Sequence, residues 1–352
     1  MKTIKRTLVI ATILFTSLAV SRAQYFNPGN LVVLQEGTGS GALSSAGTAV
    51  FLDQFTTGGS LVDSLTIPAS GLSALVNSGT AASEGQLSLS GGNQYLVFAG
   101  YNTSAGTAGV AGSTTIPRGI ATVDANGNYS LAATTTTYYN GNNIRGGTSD
   151  GHGNFWGAGA AATGGTVYLG TGTPAQISAA NSLAVQNFGG NLFYSTAKGT
   201  TGIYEISGTP TSGTATPTLV LANANPSDFT FNASMTIAYV ANTAGGIQRY
   251  DFNGASWTLS YTLDSGTGMN GLAVDFSGTA PVIYATTEDG KNLIEVTDTG
   301  SGSAATVLDT AAANTAFRGL DFSPIAVPEP GTIALASLGL AALWGFRKRN
   351  RS

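Results

Sequence analysis

The body of the chain is organised by a repeated alternation of apolar and polar positions. A short apolar segment leads into a turn of Asp, Asn, Ser and Gly, and a β-branched or aromatic run follows. Copies lie at Leu87–Phe98, Asp150–Trp156, Ala184–Tyr194, Phe229–Tyr239 and Gly271–Tyr284, with a truncated one at Gly319–Pro324. Their turn positions, 90, 150, 187, 232, 275 and 321, are separated by 60, 37, 45, 43 and 46 residues. Four-stranded propeller blades run to roughly 40–50 residues. Each copy is therefore predicted to be the hairpin that joins the first two strands of a blade. A second pattern follows at Gly119–Asp124, Gly202–Ser207, Gly246–Asp251 and Leu293–Asp298. It alternates as a half-buried third strand should. Fourth strands are predicted at Tyr129–Ala133, Thr218–Leu221, Trp257–Leu263 and Ala305–Leu308, and a thinner pair at Thr166–Leu169 and Ala175–Ser178.

The two ends of this array complement each other. The truncated copy supplies a first strand near 317–322, and the start of the body supplies Leu31–Gln35, Ala49–Phe55 and Leu61–Ile67 without one. Closing a ring with strands from both ends removes the unpaired edges a linear array would expose. The expected fold is an all-β propeller over 24–326, with six blades, one shared by both termini. A seventh blade fits if 100–118 holds further strands. A lectin-like sandwich and a β-helix are the other all-β solutions, but β-helix coils are nearer 20 residues. Over 83–323 the hairpin pattern resembles secreted NHL-like propellers, which implies the fold and leaves the activity open.

Composition agrees with a folded β-domain. The 352 residues are 42% apolar, include 49 glycines and are only 9% charged, against about a quarter in ordinary soluble proteins. There is no cysteine and one histidine, His152. That excludes disulfides, thiolate catalysis and a multi-histidine metal site. Charge is unevenly placed: residues 24–327 hold six bases against 17 acids, a net −11, and the remaining bases crowd the two ends. An acidic body repels phosphate backbones, so nucleic acid is not an expected partner.

The ends carry addresses. Residues 1–23 combine a basic start (Lys2, Lys5, Arg6), an apolar run from Leu8 to Val20, and Ser21-Arg22-Ala23 with small residues flanking a cleavage point. These are the parts of a secretory signal peptide, to be cut after Ala23. The expected partners are the Sec translocon and signal peptidase. At the other end Pro328-Glu329-Pro330 precedes an apolar stretch, Ile333–Phe346, and a basic cluster from Arg347 to Arg351. Fourteen residues make roughly 21 Å of helix, shorter than a bilayer core, and the basic cluster stays cytoplasmic. The order of these parts over 327–352 resembles the PEP-CTERM sorting signal of Gram-negative bacteria. The resemblance implies recognition by an exosortase-type transpeptidase and cleavage near Pro328-Glu329-Pro330. It also implies transient anchoring in the inner membrane, then passage to the cell surface or an exopolysaccharide matrix.

Candidate chemistry is sparse. Asp124-Ala125-Asn126-Gly127-Asn128 begins like a calcium loop, but its twelfth position is Thr135, where an EF-hand needs Glu. A turn is expected there, and also at His152 in Asp150-Gly151-His152-Gly153-Asn154. Arg145, Asp228, Asn270 and Arg318 fall at the starts of first strands, which line a propeller's central channel, and form a candidate ligand face. Arginines there can grip carboxylates or sulfated sugars. Tyr95, Phe98, Phe155, Trp156, Tyr194, Tyr204, Tyr239 and Tyr284 are expected as core between blades. No cofactor is expected; if an ion binds, calcium held by Asp228, Asn270, Glu288 and Asp289 is the candidate. The expected role is a non-enzymatic binding or structural domain of the cell surface or matrix, with the ligand left open and exopolysaccharide a candidate partner. The alternative is a secreted lactonase or lyase acting on sugars.

Overall fold

The structure, a computed structural model, describes residues 25–160 and 163–326. The signal peptide, Ala23, and the tail with Pro328, Glu329 and Pro330 lie outside the described residues.

Six four-stranded antiparallel sheets surround one axis. Blade 1 is Ala316–Phe322, Leu31–Glu36, Val50–Phe55 and Leu61–Thr66; blade 2 is Leu87–Leu89, Tyr95–Tyr101, Arg118–Asp124 and Tyr129–Thr135. Blade 3 is Ile144–Ser149, Phe155–Gly159, Thr166–Tyr168 and Ala175–Ser178, and blade 4 is Ser182–Phe188, Asn191–Thr196, Gly202–Ile206 and Thr218–Ala222. Blade 5 is Pro226–Phe231, Ile237–Asn242, Ile247–Phe252 and Trp257–Leu263; blade 6 is Met269–Asp275, Val282–Thr287, Asn292–Thr297 and Thr306–Thr310. First strands are mostly buried and fourth strands are the most exposed. The six-bladed reading with a shared blade holds. The seven-bladed alternative does not: 102–117 is a loop between the second and third strands of blade 2 and adds no blade.

The side-chain period of two explains why these strands are apolar on both faces. In blade 1, Val32 and Leu34 pack towards Leu96 and Phe98 of blade 2. Their neighbours Leu31 and Val33 pack towards Ala273 and Tyr284 of blade 6. In blade 2, Val97 and Ala99 face Ile144 and Val167 of blade 3. Each blade interface has its own apolar cluster, so the ring is held by six small cores. Of the recurrent aromatics, Phe98, Trp156, Tyr194, Tyr239 and Tyr284 are buried in these clusters. Tyr95, Phe155 and Tyr204 pack against their margins.

The ring is latched by the chain ends. Ala316–Phe322 pairs antiparallel with Leu31–Glu36, the Ser323 amide donates to the Asn30 carbonyl, and the buried Phe26 donates its amide to the Ala125 carbonyl. Ile325 donates to the Asn93 carbonyl. Both ends of the described body thus meet blade 2.

One local device positions the axial side chains. The first strands of blades 1, 3, 4, 5 and 6 each carry a β-bulge against their second strand. A bulge leaves an extra residue outside the ladder and re-aims its side chain. Arg145, Asp228, Asn270 and Arg318 all fall in these bulges. Glycine is needed beside Arg318 for close backbone approach: a Cβ on Gly319 would lie 2.3 Å from the Leu87 amide nitrogen.

Candidate functional site

The first strands all run from the loop side of the ring, where each blade follows the last, to the hairpin side. The two mouths of the axis differ in chemistry.

On the loop side, charged groups are paired with protein. Arg318 donates from Nε to Glu36 Oε2 at 3.0 Å and from a terminal nitrogen to the Gly79 carbonyl. Burial pushes the Glu36 carboxyl up, and the guanidinium of Arg318 opposes that shift. Arg145 donates to Ser83 Oγ, to Asn181 Oδ1 at 2.8 Å and to the Ser182 carbonyl. Glu84, fully buried, accepts from the Ser78 amide, the Tyr101 hydroxyl and Asn143 Nδ2. Burial nevertheless raises its pKa to about 7, because three donors only partly replace lost water.

Deeper along the axis, Gln86 of blade 2 reaches across to blades 5 and 6. Its Nε2 donates to Ser227 Oγ at 3.1 Å and to Asn270 Oδ1 at 2.9 Å, and Ser227 Oγ also donates to Asn270 Oδ1. Asn270 Nδ2 donates to the Ala82 carbonyl. Asp228 clamps blades 4, 5 and 6 together: Oδ1 accepts from its neighbour Phe229 and from Gln186 Nε2, and Oδ2 accepts from the Leu272 amide. Burial raises the Asp228 pKa to about 8, against the effect of those amide donors. Ser195 and Thr286 act as hydroxyl bridges: each accepts from its own blade's bulge, at Ala184 and Gly271, and donates to the next blade, at the Ser227 and Arg318 carbonyls.

The hairpin side is open. A cavity of about 210 Å³ lies among the ends of the first strands. Ser90, Asn93, Gln186, Asn187, Thr230 and Asp321 supply its polar lining, and the partly exposed rings of Phe188 and Phe322 its aromatic lining. Asp321 Oδ2 accepts from the Leu89 amide at 2.8 Å, the clamp between blades 1 and 2 that Asp228 makes between 5 and 6. Burial raises the Asp321 pKa to about 7.

The sequence-predicted residues are thus placed as follows. Asp228, Asn270 and Arg318 are buried and bonded within the ring, and Arg145 is half-buried at its loop side. Glu288 and Asp289 sit on the exposed turn after the second strand of blade 6, where Asp289 pairs with Lys291 at 3.1 Å. Among the described residues, no three His, Asp or Glu side chains come close enough to share a metal ion. Asp124 accepts from the Asn126 and Asn128 amides, and Asp150 from His152 and Asn154, so each carboxylate organises its own turn. The cavity residues Gln186, Asn187, Thr230 and Asp321 were missed as a site. Asn187 and Asp321 had been assigned to hairpin turns, whereas both lie inside first strands.

Residues 326–349 match the PEP-CTERM protein-sorting motif. That motif implies export and processing by an exosortase-type system. No curated protein matches the chain. Among solved structures, the ring is similar to the periplasmic gluconolactonase PpgL of Pseudomonas aeruginosa, at 14% identity and a TM-score of 0.47, over 80% of this chain and 83% of that one. It is similar to a gluconolactonase of Xanthomonas campestris at 11% identity and a TM-score of 0.43, over 82% and 91% of the two chains. An auxiliary nutrient binding protein of Bacteroides thetaiotaomicron gives 11% identity and a TM-score of 0.43, over 84% of each chain. Among the described residues no helix is long and apolar enough to cross a membrane.

Proposed function

We propose that the processed protein is a non-catalytic propeller of the cell surface or extracellular matrix that binds exopolysaccharide. The observation that carries this reading is the state of the axial side chains. Catalysis of sugar hydrolysis or elimination needs an acid, a base or a metal free to meet substrate. Arg318 pairs with Glu36 inside blade 1, Glu84 accepts from three protein donors, Asp228 accepts from Gln186 and from the Phe229 and Leu272 amides, and Asp321 accepts from the Leu89 and Phe322 amides. His152 lies on an exposed turn with Nδ1 against the Asp150 carbonyl. A decisive experiment incubates the processed protein, purified from the producing cells, with aldonolactones and with matrix polysaccharides. The expected result is retention on immobilised polysaccharide without product. Turnover above the uncatalysed rate sinks the proposal in favour of a secreted lactonase or lyase.

Delivery belongs to the same proposal. The signal peptide is removed after Ala23, and the tail is cut near Pro328-Glu329-Pro330, leaving an acidic body. Proline disfavours helix at the residue before it, and fourteen apolar residues are fewer than a membrane span needs. Glu329→Ala is expected to hold the precursor in the membrane fraction. Intact-mass spectrometry of the released wild-type protein checks the assignment, and residues 331–352 still attached to it would point to a plain anchor.

A further inference from the structure

We infer that the hairpin-side cavity is a binding site for a single neutral sugar residue. This deepens the proposed function by assigning the contact point, and it rests on that reading for the ligand class only.

Three observations converge. The first is size. At about 210 Å³ the cavity falls below the ~300–1,000 Å³ of drug-sized sites. One pyranose ring, such as the terminal residue of a polysaccharide chain, fits such a space. The cross-axis link of Gln86, Ser227 and Asn270 lies two to three residues deeper along the same strands, so the channel does not continue as a through-passage for a chain.

The second is the kind of polar group. Gln186 spends its Nε2 on Asp228 and the Phe229 carbonyl, and its Oε1 accepts no hydrogen bond among the described residues. The Asn187 amide and the Thr230 hydroxyl make no side-chain hydrogen bond among the described residues, though each is half-buried in the lining. The free set therefore mixes donors and acceptors. Sugar hydroxyls do both, and match such a set better than an ion would. Among the described residues no Lys or Arg lines the cavity, so carboxylated, sulfated or phosphorylated ligands find no counter-charge there. Asp321 adds a carboxyl whose pKa burial raises to about 7; partly ionised near neutral pH, it disfavours an anionic ligand.

The third is the rim. Phe188 and Phe322 are partly exposed although both belong to aromatic clusters, with Phe231 and Tyr284 respectively. Aromatic faces beside a polar pocket cover the apolar face of a sugar ring while its hydroxyls reach inwards.

Saturation-transfer NMR and titration calorimetry of the processed protein with D-glucose, D-galactose, D-mannose and D-glucuronate test the site. At least one neutral hexose should bind, and D-glucuronate should bind at least tenfold more weakly. Asn187→Ala with Thr230→Val should weaken the hexose at least tenfold. Asp321→Asn is an isosteric second probe and should shift affinity while thermal melting verifies the fold. Ser40→Ala, on an exposed loop-side residue, should leave binding unchanged. Absence of hexose binding, equal or better binding of glucuronate, or full affinity in the Asn187/Thr230 variant each overturns the assignment. None of these outcomes bears on turnover, so this site and the non-catalytic reading fail separately.

Discussion

The two mouths of the axis are built from the same six strands and have opposite chemistry. At the loop side the bulges of blades 1 and 3 carry Arg318, paired with Glu36, and Arg145, bonded to Asn181, and the loop before blade 2 carries Glu84 with its three donors. At the hairpin side the ladders are regular, and the lining amides and hydroxyl of Gln186, Asn187 and Thr230 are neutral and partly unused. The contrast teaches that a charged residue on a propeller axis is not thereby a ligand residue. Low dielectric makes an unpaired charge so costly that the fold supplies its partner. Neutral polar groups can be left free at a water-filled mouth at little cost.

The sharpest way to break this contrast is to unpair the loop side. Arg318→Ala leaves Glu36 buried without its cation, and loss of one partner of a buried pair costs about 3–5 kcal/mol. Arg318→Met combined with Glu36→Gln should restore most of that, since a matched neutral pair removes the stranded charge. Urea unfolding measures both; a single variant within 1 kcal/mol of wild type, roughly the range of a surface pair, would show that the pairing is not structural.

Next in size is the response to pH. Glu84 is raised from 4.5 to about 7, Asp321 from 3.8 to about 7, and Asp228 from 3.8 to about 8. Each folded-state pKa exceeds its unfolded value, so each group holds its proton more tightly in the native state. Their contribution to stability is full below about pH 4 and is lost as pH rises through about 7 to 8. Asp251, Asp289 and Asp298 are lowered by hydrogen bonds and nearby cations, and their opposing effect operates below pH 4. The melting temperature should therefore fall by several degrees between pH 5 and pH 8. A flat profile, or a rise, contradicts the burial assigned to these carboxyls.

The smallest effect is expected at His152. The ring is exposed on a turn that Asp150 organises through backbone amides. His152→Ala should change stability by less than about 0.5 kcal/mol and leave polysaccharide retention unaltered. Loss of retention would move the ligand face to the turn between the first two strands of blade 3.

Much of the ring was legible before its structure. Blade spacing, the order of strands within a blade and the sharing of blade 1 between both ends came from the recurrence of turns and from strands that lacked a partner. Element limits moved by one or two residues, as where Gly119–Asp124 became Arg118–Asp124. The stretch 100–118, which left a seventh blade open, adds none: its apolar residues Val110 and Ile116 pack from a loop on the interface of blades 2 and 3.

The site was less legible, for a physical reason. A hairpin copy is a local pattern, and sequence alone placed Asn187 and Asp321 at turns because Asn and Asp favour turns. Whether such a residue ends a strand or lines an axis depends on registers set by bulges. A bulge is a one-residue slip that flips side chains without changing composition. The pairings that neutralise the axis join residues far apart in the chain, such as Glu36 with Arg318 and Gln86 with Asn270. The sequence by itself determined the C-terminal sorting motif, because that is read as a linear segment, and the repeat of blades, because that is a period. Only the tertiary structure decided which axial groups are spent and which are free. That depends on ring closure bringing distant first strands within hydrogen-bonding distance of one another.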